Sequence, residues 1–211
     1  MKISYLVLGP FMTNTYIVWD EATKKALVID PSFSPEYIIE ALLKLDVKLE
    51  KIILTHAHVD HMAGLNSLRE TYPEAKVYMS EKDVPMLGDT RLNLSNMLEQ
   101  PVVCKDPDVL VREGDHIQLD GIDLEVLETP GHTPGGLSFY SEKEKLVFTG
   151  DALFQSSIGR TDFPGGSMTI LVENIRRALF SLPDETVVLS GHGNPTSIGA
   201  EKTSNPFLIG V

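Results

Sequence analysis

His56-Ala57-His58-Val59-Asp60-His61 places four side chains able to bind a metal within six residues, directly after the strand-like run Lys51-Ile52-Ile53-Leu54. Burying three imidazoles and a carboxylate side by side is costly unless something compensates them, and a cation is the simplest compensation. The same placement recurs along the chain. His132 follows Pro130-Gly131 after the run 122–128, Asp151 follows Thr149-Gly150 after Leu146-Val147-Phe148, and His192 follows Ser190-Gly191 after 186–189. A single histidine or aspartate after a strand is ordinarily a turn residue or a helix cap. Repetition at the C-terminal ends of several strands predicts something else, because strand ends lie side by side at one rim of a sheet, where loops carry chemistry on a rigid scaffold. Five histidines and two aspartates exceed the four ligands of one tetrahedral ion, so the set predicts two metals with one aspartate between them. Imidazole with carboxylate suits zinc first, and iron or manganese accept the same donors. His116 has no partner pattern and reads as a solvated turn residue.

Outward from these positions the chain alternates strands and helices. Ile3–Leu8, Asn14–Trp19 and Ala26–Ile29 are short β-rich runs, punctuated by Gly9-Pro10 and by the polar stretch Asp20–Lys25. Ser34-Pro35-Glu36 predicts an N-cap followed by proline at the first helical position, with Ile38, Ile39, Leu42 and Leu43 at helical spacing. Met62–Tyr72 reads as a helix, Ala75–Met79 as a strand, and Ser80-Glu81-Lys82-Asp83 as a capping box. Residues 88–114 are the least regular and suggest a lid or surface excursion. Further strands are predicted at 116–119, 122–128, 137–140, 145–149 and 186–189. Met168, Leu171, Val172, Ile175, Ala178, Leu179 and Leu182 form the best helical stripe, and 198–204 a short final helix. Neither repeat, low-complexity tract nor linker interrupts the order, so local pattern predicts one α/β domain over 1–211.

Composition narrows the function. The 211 residues are 42% hydrophobic and 23% charged, an ordinary globular mixture, with 18 Lys and Arg against 30 Asp and Glu and a formal charge of −12. That field opposes a protein whose main partner is a phosphate backbone, so no nucleic-acid partner is expected. One cysteine, Cys104, excludes an internal disulfide framework and any multi-cysteine zinc ribbon. No stretch approaches the roughly 18 uninterrupted apolar residues of a membrane span, and the N-terminal apolar run is too short for a signal peptide. A cytoplasmic protein acting on a small molecule, with no membrane partner, is the expectation.

The motifs His56-x-His58-x-Asp60-His61, Gly131-His132, Thr149-Gly150-Asp151 and Gly191-His192 resemble, in order and spacing, those of the metallo-β-lactamase-fold hydrolases. Val28-Ile29-Asp30-Pro31 is similar to that family's first motif, whose aspartate props the metal-binding loop. The resemblance runs from about residue 14 to 207. It implies a four-layer αββα sandwich and a ligand partition: His56, His58 and His132 to one metal, Asp60, His61 and His192 to the other, with Asp151 bridging. Asp60 and Asp151 are the implied catalytic carboxylates. Thr129–Gly135 and Gly159-Arg160-Thr161-Asp162-Phe163-Pro164-Gly165 resemble the glyoxalase II branch, which hydrolyses S-acylglutathione to a hydroxy acid and glutathione.

In that setting Arg160 is the candidate substrate contact, against a surface arginine bonded to Asp162, and Thr55 and Thr149 are candidate partners of ligands. Larger members carry a C-terminal helical domain with glutathione contacts, which a chain of this length is expected to lack. They also carry aromatics where this chain has Asn194 and Asp162. The tail Ile198–Phe207 is similar to that of short bacterial members. A persulfide dioxygenase with one iron shares the Gly159–Phe163 run, and a lactonase shares the hydrolytic chemistry; both stand as alternatives. A tRNA-maturation nuclease shares the first motif but needs a basic surface.

Overall fold

Alternate residues of the early strands face two different cores, which is why these strands are apolar on both sides. In the computed structural model, which describes residues 1–209, β1 (Lys2–Leu8), β2 (Thr13–Trp19), β3 (Lys25–Ile29), β4 (Lys48–Ile53), β5 (Lys76–Met79) and β6 (Val109–Leu110) form one sheet in chain order. β1, β2 and β3 pair antiparallel; β3 to β6 run parallel. Ile17, Ala26, Val28 and Ile52 pack outward under α1 (Pro35–Leu45), together with α2 (Val59–Met62) and α3 (Leu65–Thr71). Their neighbours Tyr16, Val18, Leu27 and Ile53 pack inward against the second sheet.

That second sheet contains β7 (His116–Leu119), β8 (Ile122–Glu128), β9 (Leu137–Ser141) and β10 (Leu146–Gly150). A two-stranded hairpin, β11 (Leu153–Phe154) and β12 (Ser157–Ile158), leaves it before β13 (Val187–Ser190) and β14 (Thr196–Ser197) complete it. β13 lies parallel beside β10, and the other pairs are antiparallel. Phe139 and Phe148, fully buried, fill the space between the sheets. Val147 and Val188 face the other way, onto Leu171 and Val172 of α5 (Met168–Asn174, with α4 being Val84–Gly88) and onto Ile198 of α6 (Ile198–Ser204). The result is helix, sheet, sheet, helix, the four layers the resemblance implied.

Several local expectations are corrected. Ser34 occupies the position before α1 but at φ 58, and its side chain makes no capping bond. Its carbonyl instead accepts from Tyr37 N–H at 3.1 Å, closing the turn with backbone alone. The helix expected over 62–72 is two short helices, α2 and α3, broken at Gly64. There the backbone crosses the Pro31–Ser32 turn so closely that a Cβ would sit 2.5 Å from the Ser32 carbonyl. The stripe from 168 to 182 is retained, but after α5 it continues as a π-turn over Ile175–Leu179, with Phe180 N–H reaching Ile175 O. Residues 88–114 are pinned rather than loose. Asn93 is fully buried, donates to Met86 O and Val102 O, and accepts Ser95 N–H. Cys104 is half-buried against the outer core of the first sheet, and burial raises its thiol to about 11. Among the described residues no helix is long and apolar enough to cross a membrane.

Candidate metal centre

Four strand ends converge where the sheets meet. β4 runs into the Thr55–His61 segment, β8 into Gly131-His132, β10 into Asp151 and β13 into His192. Direct bonds fasten this rim: Leu137 N–H to Thr55 O (2.9 Å), Gly191 N–H to Gly150 O (2.8 Å) and Asn14 N–H to Gly191 O (2.7 Å). All seven residues singled out as ligands meet here, in three interlocking groups: His56, His58 and His132; His56, His61 and Asp151; Asp60, His61 and His192. Within each group the ligand atoms lie within 4.8 Å of one another. Asp151 stands between the two outer groups, Oδ2 3.6 Å from His132 Nε2 and 3.5 Å from His192 Nε2, Oδ1 3.3 Å from His61 Nε2. Asp60 Oδ2 lies 3.3 Å from His61 Nε2 and 3.2 Å from His192 Nε2.

Each ring is aimed by the bond its other nitrogen makes. His132 Nδ1–H donates to Arg160 O (2.7 Å) and His192 Nδ1–H to Phe11 O (3.0 Å). His61 Nδ1–H donates to Asp30 Oδ2 (2.9 Å). His56 Nδ1 meets Thr55 Oγ1 at 3.0 Å, and that hydroxyl donates onward to Asp30 Oδ2 at 2.7 Å. Four Nε2 atoms are thereby turned towards the cluster. His58 lies edge-on to His132, Nδ1 to Nε2 2.9 Å.

The donors fit divalent metal. His56 Nε2, His58 Nε2, His61 Nε2 and Asp151 Oδ1 are buried with no hydrogen-bond partner, an arrangement that folded proteins otherwise avoid. Burial, then the neighbouring histidines, holds His56 well below its ordinary value and His58 at about 3, so both stay neutral as ligands must. Burial would raise Asp60 and Asp151, but His61 and His192 outweigh it and both carboxyls sit well below their usual range. Burial likewise opposes charge on His192, yet the bonds to Asp151 and Asp60 lift it to about 10. Without a cation the carboxylates thus draw protons onto His61 and His192. A metal supplies the same positive charge without them.

The remaining candidates fall out unevenly. Thr55 does bond to a candidate ligand, His56, whereas the Thr149 hydroxyl donates to Leu153 O instead. His116 is an exposed residue at the start of β7, paired with Asp123 at 2.9 Å. Arg160 lines the cleft above the cluster, but its guanidinium is held bidentate by Asp162 (2.8 and 2.7 Å) and lies 4.1 Å over the Phe163 ring.

Sequence reading missed Thr13, whose hydroxyl donates to Asp60 Oδ2 at 2.9 Å, and Tyr16 and Asn14, which bind Ser190 O at 2.7 and 3.0 Å and so fix the turn before His192. It also misplaced Asp83. Rather than closing a capping box, this buried carboxylate accepts Thr133 Oγ1–H (2.7 Å), Gly135 N–H (2.6 Å) and Ala57 N–H, tying the first histidine loop to that of His132. Burial outweighs these bonds and raises its carboxyl. Asp83→Ala is expected to weaken metal binding by about 10- to 100-fold, with Asp83→Asn retaining part of the affinity. Chelator competition measures the affinity, and faster exchange of the Ala57 and Gly135 amides traces it to this link; unchanged values in both would remove Asp83 from the site's support.

The chain matches the metallo-beta-lactamase superfamily over residues 8–192. Hydroxyacylglutathione hydrolase GloC of Haemophilus influenzae is 37% identical over 209 residues, covering 99% of this chain and 98% of that protein. The probable metallo-hydrolase YqgX of Bacillus subtilis is 37% identical over 211 residues, covering 100% and 99%. Among solved structures, BLEG-1 B3 metallo-beta-lactamase superposes with TM-score 0.93 at 38% identity, covering 99% of this chain and 100% of that one. TTHA1623 in a di-iron-bound form gives 0.86 at 34%, covering 97% and 100%. This chain belongs to the metallo-beta-lactamase superfamily, and within it to the metallo-hydrolases.

Proposed function

We propose that this protein is a dinuclear metal-dependent thioester hydrolase, with S-acylglutathione as the first substrate class to test. The observation that carries the reading is Asp151, a partly buried carboxylate whose two oxygens face His61 on one side and His132 and His192 on the other. His56, His58 and His132 would hold one ion, Asp60, His61 and His192 the other, and Asp151 both. Zinc is the proposed metal on donor chemistry, and the di-iron relative makes iron the competitor. A bound pair of this kind supplies a water of pKa lowered from about 15.7 towards 7 and Lewis-acid polarisation of a carbonyl.

The protein's own groups do the rest. Asp30 and Thr55 keep His56 and His61 in the tautomer that presents Nε2. Asp60, held by Thr13 and open to the cleft, is placed to orient the attacking water and relay its proton. Arg160 is the one fixed cation among the described residues lining the cleft, and engaging a substrate carboxylate requires it to share its guanidinium with Asp162. The glyoxalase II-like sequence around Arg160 and the GloC relative support the thioester over other acyl substrates.

Elemental analysis of the purified protein, paired with S-lactoylglutathione hydrolysis, tests this directly. Near two metals per chain and release of glutathione, abolished by chelation, are expected. A lactone turned over faster than any thioester, or oxygen uptake with glutathione persulfide at one iron per chain, would replace the reading.

A further inference from the structure

The cleft above the metal centre is apolar on both flanks. It has a volume of about 460 Å³, within the ordinary range for a small-molecule site. Phe154 stands edge-on to His192 with ring centroids 6.0 Å apart, and Phe11 lines the same end. At the other end Phe163 lies edge-on to His58 at 5.5 Å and to His132 at 6.4 Å. Leu94 and Met97, carried in by the pinned 88–114 segment, and Ile158 of the β11–β12 hairpin complete the walls. These residues come from four separate segments of the chain, so their convergence is not the by-product of one amphipathic element.

Neither the hairpin nor the 88–114 segment is a loose flap. Glu201, buried on α6, accepts Ser156 N–H at 3.0 Å, and Asn205 donates to Ser157 O at 3.0 Å, which fixes the hairpin that presents Phe154 and Ile158. Val59 N–H donates to Asn93 O at 2.9 Å, which seats Leu94 beside α2. Charge is scarce by comparison. The carboxylates Asp60 and Asp151 belong to the metal cluster, and Arg160 is neutralised by Asp162.

Building on the thioester reading, we propose that this cleft selects thioesters whose acyl chain is apolar and uncharged, and that Phe154, Phe163 and Met97 determine the choice. A chain laid along these walls leaves water without needing any polar partner, whereas a terminal carboxylate would lose hydration with no unpaired cationic side chain among the described lining residues to receive it.

The test uses the metal-loaded protein and thioesters of one neutral thiol, N-acetylcysteamine, bearing acetyl, butanoyl, hexanoyl and 3-carboxypropanoyl groups. kcat/KM is expected to rise about two- to fourfold per added methylene, the upper value being that of a fully buried methylene. The 3-carboxypropanoyl ester should fall below butanoyl by at least tenfold. Phe154→Ala and Phe163→Ala should each flatten the chain-length slope. Met97→Lys, at an exposed position where the fold tolerates charge, should raise the 3-carboxypropanoyl rate several-fold relative to hexanoyl. Acetyl turnover with no chain-length dependence, or a preference for the charged chain, overturns this inference and leaves thioester hydrolysis standing. No turnover of any panel member or of S-lactoylglutathione overturns both.

Discussion

Asp151→Asn and His58→Ala are each expected to lose bound metal and to cut thioester turnover by roughly 10²–10⁴-fold, while the fold survives. The two substitutions act differently. His58→Ala deletes one donor from the His56, His58, His132 group and leaves the carboxylates in place. Asp151→Asn keeps the side-chain volume but removes the charge that faces three imidazoles at 3.3–3.6 Å, so both outer groups lose a shared anion at once. Asp151→Asn should therefore reduce stoichiometry at both positions, and His58→Ala chiefly at one. The fold survives because the centre sits at the rim, outside the three apolar clusters that hold the layers together. Stability must be compared on metal-free proteins, because an ion bound only to the folded state adds its own contribution. On that footing a change within about 2 kcal/mol, a few degrees in Tm for a chain of this size, is expected. Metal analysis, turnover and thermal unfolding measure the three quantities. Full turnover by either variant without metal would end the two-metal mechanism.

Why the convergence of these candidate ligands was legible from sequence, and their supports were not, has a physical cause. A histidine or aspartate displaced just beyond an apolar run announces itself locally, since strand periodicity fixes where the run stops and the parallel β10–β13 pairing then brings Asp151 beside His192. The layer order came from the family resemblance, because local pattern supports α/β and nothing finer; only in the packing do Tyr16 and Val18 separate from Ile17, and Leu27 from Val28, onto opposite faces of a sheet covered on both sides. Asp83 carries no such mark. Its partners Ala57, Thr133 and Gly135 are distant along the chain, and the local Ser80-x-x-Asp83 spacing suggests a cap that Asp83 does not complete. Thr13 was hidden for the same reason, being an ordinary β-residue until the bridge to His192 brings it onto Asp60. The break at Gly64 depends on where the Pro31–Ser32 turn passes, a tertiary fact. The apolar walls of the cleft come from loops and a two-residue-stranded hairpin, too short for any period to distinguish a cleft-lining Met97 or Phe11 from an exposed residue without a role.

Asp30 connects the fold to the chemistry, and replacing it separates two effects that the native residue combines. It is buried and left-handed at φ 52, a conformation aspartate and asparagine tolerate better than most residues. Its Oδ1 accepts Thr55 N–H at 2.7 Å, while Oδ2 accepts the Thr55 hydroxyl at 2.7 Å and His61 Nδ1–H at 2.9 Å. Asp30→Ala strands three buried donors and should cost on the order of 3–5 kcal/mol, enough to lower Tm by roughly 6–20 °C. Asp30→Asn is the sharper test, because the volume and backbone preference are kept. An amide has one acceptor oxygen, so its NH₂ must confront either Thr55 N–H or the pair formed by Thr55 Oγ1–H and His61 Nδ1–H. Turned towards His61, the amide makes Nδ1 an acceptor, and the ring proton moves to Nε2, the atom that faces Asp60 and Asp151. A protonated Nε2 cannot ligate. Asp30→Asn should therefore lose about 10- to 100-fold in metal affinity with a smaller stability loss than Asp30→Ala. Chelator competition gives the affinity, and the ¹⁵N shifts of the His61 ring report the tautomer directly. If Asp30→Asn binds metal as tightly as the native protein with His61 still protonated at Nδ1, the chain from Asp30 through Thr55 and His61 has no part in shaping the centre.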